Sequence, residues 1–153
     1  MPIRAAWAAI AIVACAPAPA VAQEMITLDA AAIAALSGKA MSPKIEARPM
    51  LAPGGDVLSL RVTIAANSDI PPHPHPAGKV AIVTVLSGDF KVGLGDTFSE
   101  AGLKNVAPGG IVIFRDTDPQ HYARTGNAPV ELLLMAAAKD KISPALLGAK
   151  AAK

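Results

Sequence analysis

Aromatic residues make up only 3% of this 153-residue chain: one Trp, one Tyr and three Phe. Charge is also sparse, at 17%, with 14 Lys and Arg against 12 Asp and Glu for a net of +2. Electrostatic binding to nucleic acid or to a membrane surface needs a basic excess that engages many phosphates or headgroups, so neither is the main business of the chain. A hydrophobic content of 52% at this low net charge excludes intrinsic disorder. The single cysteine, Cys15, excludes an internal disulfide framework. No apolar run reaches the length of a membrane-spanning helix; the longest, Ala5 to Ala14, is about half of what one needs.

What the chain has in excess is alanine, and it is concentrated at the start. Ten of the first 22 residues are Ala, with Arg4 the only charge among them. Met1 to Arg4 form a positive n-region, Ala5 to Ala14 an apolar h-region, and Pro17, Pro19 and Ala20-Val21-Ala22 a c-region with small residues where a signal peptidase reads. Residues 1–22 are therefore expected to be a signal peptide, cleaved before Gln23. A second reading of the same segment is open: Ile12-Val13-Ala14-Cys15 resembles a lipoprotein signal, with a lipid anchor on Cys15. Both readings make the protein exported, periplasmic or secreted, and simple cleavage leaves it without a membrane partner. The remaining 131 residues suffice for one domain with a real core.

Leu28 to Leu36 reads as a short Ala-rich helix, with Asp29 as N-cap and Gly38 beyond its end, followed by a polar connector over 39–45. Residues 23–45 thus form an N-terminal helix and connector. The period then changes to two: Leu58, Leu60, Val62 and Ile64 alternate with polar neighbours, as in a half-buried strand. Val80 to Leu86 and Phe90 to Leu94 flank Ser87-Gly88-Asp89 and read as a hairpin. Ile111 to Phe114, His121 to Arg124 and Val130 to Met135 complete the series, punctuated by Pro108-Gly109-Gly110, Asp118-Pro119 and Gly126-Asn127. Short strands at this spacing, with no internal repeat, predict an all-β sandwich or barrel in a single domain over 46–142. Residues 143–153 form a C-terminal tail, with a helical turn near Ile142 to Gly148.

The three histidines are the most informative residues. His73 and His75 stand at i and i+2 in Ile70-Pro71-Pro72-His73-Pro74-His75-Pro76, and in extended backbone both point to one face. Pro74 between them fixes φ and excludes a helix. His121 follows the turn at Asp118-Pro119, where another strand can bring a third imidazole alongside. Three converging imidazole nitrogens suit a divalent transition metal (Fe, Mn, Ni, Cu or Zn) with positions left open for water or substrate.

These residues carry a family resemblance. His73-Pro-His-Pro-Ala-Gly followed by Val83-Thr-Val-Leu-Ser-Gly88 resembles the first motif of the cupins, and Gly110 to His121 resembles the second, over roughly residues 45–140. The resemblance implies a small, single-domain cupin, a double-stranded β-helix or jelly-roll barrel, with His73, His75 and His121 at metal-ligand positions. Two departures stand out. The first motif lacks its usual glutamate ligand, since counting back from Gly88 reaches Ala81, and Asp116 and Asp118 replace the usual proline and glycine of the second.

Other residues carry less. Asp116 and Asp118 before Pro119 read as turn formers. Tyr122 and Gln120 have the opposite strand parity to His121. Lys79 reads as a solvated loop residue, with a role facing an anionic ligand open. Gly93-Leu-Gly95 is no phosphate loop, Met41, Met50 and Met135 are too scattered for a copper site, and Ser87 and Ser99 lack the spacing of a triad. The expected function is that of an exported metal-binding cupin acting on a small organic substrate by dioxygenase-like or related chemistry. The alternative is a non-catalytic small-molecule binder or sensor, with or without metal. A small-molecule ligand is expected in both, a homodimer is open, and the scarcity of aromatic stacking surfaces favours a small or aliphatic ligand.

Overall fold

The computed structural model describes residues 25–52 and 54–148. The expected signal peptide, Cys15 and the last residues of the C-terminal tail lie outside these. Among the described residues no helix is long and apolar enough to cross a membrane. The described residues fall into two units, divided after Ala34. In the first, helix α1 spans Ala30–Ala34, shorter than the Leu28 to Leu36 expected. Asp29 caps it as anticipated, its Oδ1 accepting from the Ala32 N–H at 2.8 Å.

The second unit is built of antiparallel strands. They are β1 (Lys39–Ser42), β2 (Ile45–Pro49), β3 (Leu58–Ile64), β4 (Asp69–His73), β5 (Val80–Ser87), β6 (Phe90–Leu94), β7 (Lys104–Val106), β8 (Ile111–Phe114), β9 (His121–Thr125) and β10 (Val130–Ala137). A six-stranded sheet runs β1-β2-β3-β10-β5-β8 and a four-stranded sheet β4-β9-β6-β7. A short helix α2 (Pro144–Leu147) follows, where a helical turn was expected.

One apolar core joins the two sheets. Val62, Ile64, Val83, Val85, Phe114, Val130 and Leu132 enter from the larger sheet, and Ile70, Phe90, Val92 and Ala123 from the smaller. The period-two pattern sets this. Along β10, Val130, Leu132 and Ala136 face inward while Glu131 and Met135 face out; β3 aligns with it residue for residue, and β5 does so from Leu132 on, past a register shift at Glu131. On the outer face Glu131 accepts from Arg61 Nε at 2.9 Å and from Thr63 Oγ1 at 2.7 Å, so the polar alternates of β3 and β10 satisfy one another.

Two expectations need correction. The segment 39–45 is no polar connector, because β1 and the start of β2 lie within it and pair antiparallel. All four β1 residues are exposed at the sheet edge, so no burial pattern marks the strand. Nor do β5 and β6 form a hairpin. Strand β5 pairs with β10 on one side and β8 on the other, which leaves no edge for β6, whose partners are β7 and β9. The Ser87-Gly88-Asp89 turn is a corner between sheets. Gly88 takes φ +90, and a Cβ there would meet the Pro129 carbonyl oxygen at 2.7 Å, so the β9–β10 connection seats directly on the corner.

Candidate functional site

The histidines meet on the inner face at one end of the smaller sheet. In the β4–β9 ladder His73 stands directly opposite His121. Directly opposed residues share a face. The His73 and His121 rings lie 3.9 Å apart between centroids, and His75, just beyond the end of β4, stacks on His121 at 4.7 Å with 10° between planes. Exposed Pro74 separates half-buried His73 and His75, the alternation that extended backbone requires.

Backbone carbonyls select the tautomers. His73 Nδ1 lies 2.9 Å from the Pro71 oxygen and His75 Nε2 lies 2.9 Å from the Pro119 oxygen. A carbonyl only accepts, so these nitrogens carry the protons, and His73 Nε2 and His75 Nδ1 keep their lone pairs. His75 Nδ1 and His121 Nδ1 are buried without a hydrogen-bond partner. Burial, with repulsion from any proton gained by the His73 or His75 ring adding to it, lowers the His121 pKa from 6.5 to about 3, which keeps the ring neutral. Neutral imidazoles with lone pairs aimed away from their carbonyl partners are the form that ligates a cation. In its donor chemistry the cluster fits a divalent metal. In its geometry it does not yet: among the described residues no group of three or more His, Cys, Asp or Glu side chains is arranged to hold an ion. The expected convergence of three nitrogens is therefore replaced by ring stacking.

Phe114 explains the stacking, and the sequence did not single it out. Its ring lies 4.1 Å from His121 and 4.7 Å from His75. On the larger sheet Phe114 stands opposite Ala81, the position where the first cupin motif would supply glutamate. A methyl group at Ala81 leaves room for a phenyl ring, and apolar packing occupies the inner face there. Parity within Ile111 to Phe114 would have placed Phe114 inward; only the register with Ala81 puts it against the imidazoles.

The secondary candidates take structural places. Asp118 Oδ2 accepts from the Arg115 N–H at 2.8 Å and closes the turn before Pro119, as expected. Lys79 donates to the Asp56 carbonyl oxygen at 2.6 Å, and Gln120 is exposed. Tyr122, 1% exposed, lies on the face opposite His121, against Phe98 at 5.1 Å and over Gly93. Its neighbour Arg124 holds Asp69 by two bonds of 2.6 and 3.0 Å and Glu100 by one of 2.7 Å. Those contacts fasten the 96–103 segment over the outer face, away from the histidines.

Beside the cluster, a cleft of about 870 Å³ opens between the smaller sheet and β8. The histidines do not line it; Leu94, opposite His121 in the β6–β9 ladder, and Phe114, whose ring meets His75 and His121, do. Its remaining wall is largely apolar, from Val92, Val106, Val112 and Leu146.

Two facing antiparallel sheets, with the chain passing from one to the other at successive corners, define a small jelly-roll domain. Among solved structures the fold is that of the cupins. The cupin domain of Cnp3 from Schizosaccharomyces pombe matches with TM-score 0.56 and 13% identity, over 70% of this chain and 72% of that one. Ectoine synthase from P. lautus matches with TM-score 0.54 and 14% identity, over 74% and 78%. KdgF from Halomonas sp. matches with TM-score 0.52 and 20% identity, over 68% and 90%. No family profile matches the sequence, and no curated protein is similar to it in sequence.

Proposed function

We propose that this chain is an exported cupin that binds one divalent transition metal through His73, His75 and His121 and acts on a small organic substrate in the adjoining cleft. The observation that carries the proposal is the pair of buried, unpartnered nitrogens, His75 Nδ1 and His121 Nδ1. A buried acceptor without a donor costs about 1–3 kcal/mol, and a cation shared with His73 Nε2 would satisfy both. Fe, Mn, Ni, Cu or Zn suits a donor set of imidazoles without carboxylate. When bound, such an ion supplies a Lewis acid or an oxygen-activating centre, the basis of dioxygenase-like chemistry.

The chain's own contribution is to prepare the ligands and to exclude water. The Pro71 and Pro119 carbonyls hold His73 and His75 in fixed tautomers. Phe114 covers one side of the cluster, and Leu94 and Val92 keep the adjoining cleft apolar. Binding an ion requires the stacked rings to separate. That ectoine synthase has this fold agrees with small-molecule chemistry in such a site.

The second reading is a metal-free binding or sensor domain, favoured by the mutual stacking of the rings on Phe114 and by Ala81 in the glutamate position. Metal analysis separates the two. Protein purified without chelator and reloaded with Fe(II), Mn(II), Ni(II), Cu(II) or Zn(II) is expected to retain one equivalent of at least one ion and to lose it in each His→Ala variant. Substoichiometric metal with every ion would support the metal-free reading.

A further inference from the structure

The cleft beside the histidines has a polarity that names its ligand. Strand β7 forms the free edge of the smaller sheet, and its register places Lys104 opposite Val92 and Asn105 opposite Lys91. Val92 belongs to the core, so Lys104 stands on the inner face and Asn105 on the outer one. Lys104 lines the cleft, together with Val92, Val106, Val112, Phe114 and Leu146, and Asn105 joins it where the cleft reaches around the sheet edge. The Lys104 side chain is exposed at the sheet edge, at the mouth of the cleft.

The other charges of the cleft are already engaged. Arg115 donates from Nη2 to the Leu147 carbonyl oxygen at 3.2 Å and has Asp118 Oδ1 3.9 Å from Nη1. Asp118 in turn accepts from the Arg115 backbone N–H. Lys104 has no ion-pair or hydrogen-bond partner among the described residues. The cleft therefore offers one uncommitted ammonium at the end of an apolar wall. From strand spacing, Lys104 and His121, two strands and two residues apart, have Cα atoms about 12 Å from each other. Leu94, opposite His121, and Phe114, in contact with it, are both among the lining residues.

We infer that the cleft takes an unbranched aliphatic carboxylate, its carboxylate at the Lys104 ammonium and its chain along Val92, Val106 and Phe114 toward the imidazoles. This rests on the proposed small-molecule site and names its substrate class, and it does not depend on a metal. Apolar walls reward chain length by about fourfold in affinity per buried methylene. The ammonium selects the charge of the head group, at about tenfold or more for a charged hydrogen bond.

The test is calorimetric titration of the chelator-treated full chain with hexanoate, octanoate, octanol and octylammonium. Octanoate is expected to bind more than tenfold tighter than octanol and, with two more methylenes, about fifteenfold tighter than hexanoate, with octylammonium weakest. Lys104→Gln should cost octanoate about tenfold, and Lys104→Glu should reverse the preference to octylammonium. Both replacements are at an exposed edge position, so the fold is expected to persist, checked by circular dichroism. Octanoate binding no tighter than octanol, or unchanged in Lys104→Gln, would overturn the inference. Because no metal is added, failure here leaves metal binding by the histidines standing, and failure to bind metal leaves this result standing.

Discussion

Acidification should destabilise the metal-free fold through His121, and the sign follows from its lowered pKa. The folded ring has a pKa near 3 against an ordinary 6.5, so the unfolded chain takes up the proton first. Stability from this group is complete above about pH 6.5 and falls as pH drops toward 3. One pKa unit corresponds to about 1.4 kcal/mol, which sets an upper limit of about 2 kcal/mol lost between pH 7 and pH 5. The ring is only partly buried, and solvent screening reduces this to about 1 kcal/mol. The other lowered group, Asp69 held by the Arg124 guanidinium, loses its contribution only in the carboxylate range, below this window. Urea unfolding in the presence of chelator, followed by circular dichroism at pH 7, 6 and 5, measures the slope. His121→Phe keeps an aromatic ring against Phe114 and removes the titration, so its stability should change less over the same range by about that amount. Identical pH dependence in the two proteins would mean that His121 carries none of the acid sensitivity.

Two further outcomes follow from packing. Gly93→Ala places a Cβ 2.5 Å from Tyr122 Cε2 and 2.6 Å from its Oη, and Tyr122 is 1% exposed, so the clash should cost about 1–3 kcal/mol, read as a lower midpoint in urea; an unchanged midpoint would mean that Tyr122 is not seated over Gly93. Phe114→Ala removes a ring that is 3% exposed and touches two imidazoles, and should cost about 3–5 kcal/mol in the same assay. A loss below 1 kcal/mol would show that the ring is not part of the core.

Much of the fold was legible because its strands bury one face. Leu58 to Ile64 and Phe90 to Leu94 alternate, and of their inward residues Val62, Ile64, Phe90 and Val92 are in the core, Leu58 and Leu60 pack against it, and Leu94 at the strand end is exposed. The histidine cluster was legible for the same reason, since parity put His73 and His75 on one face and the turn at Pro119 set His121 as the first residue of β9. Edges were not. Strand β1 is exposed throughout and β7 nearly so, and backbone pairing without burial leaves no period to read. The false hairpin had a related cause: a tight glycine turn looks the same whether the chain folds back or crosses to the other sheet, and the decision lies with β10 and β8, distant in sequence. Register likewise hid Phe114, whose contact with the imidazoles depends on Ala81 standing opposite, and it hid the inward side of Lys104.

The central claim, that carbonyl-fixed imidazoles are poised as ligands, is tested most directly by long-range nitrogen–proton NMR of the histidine rings during a titration with Zn(II). His73 is expected to be protonated on Nδ1 and His75 on Nε2 before metal is added, with their free nitrogens and one His121 nitrogen shifting together to saturation at one equivalent. Ring signals unmoved at one equivalent, or tautomers opposite to these, would contradict it.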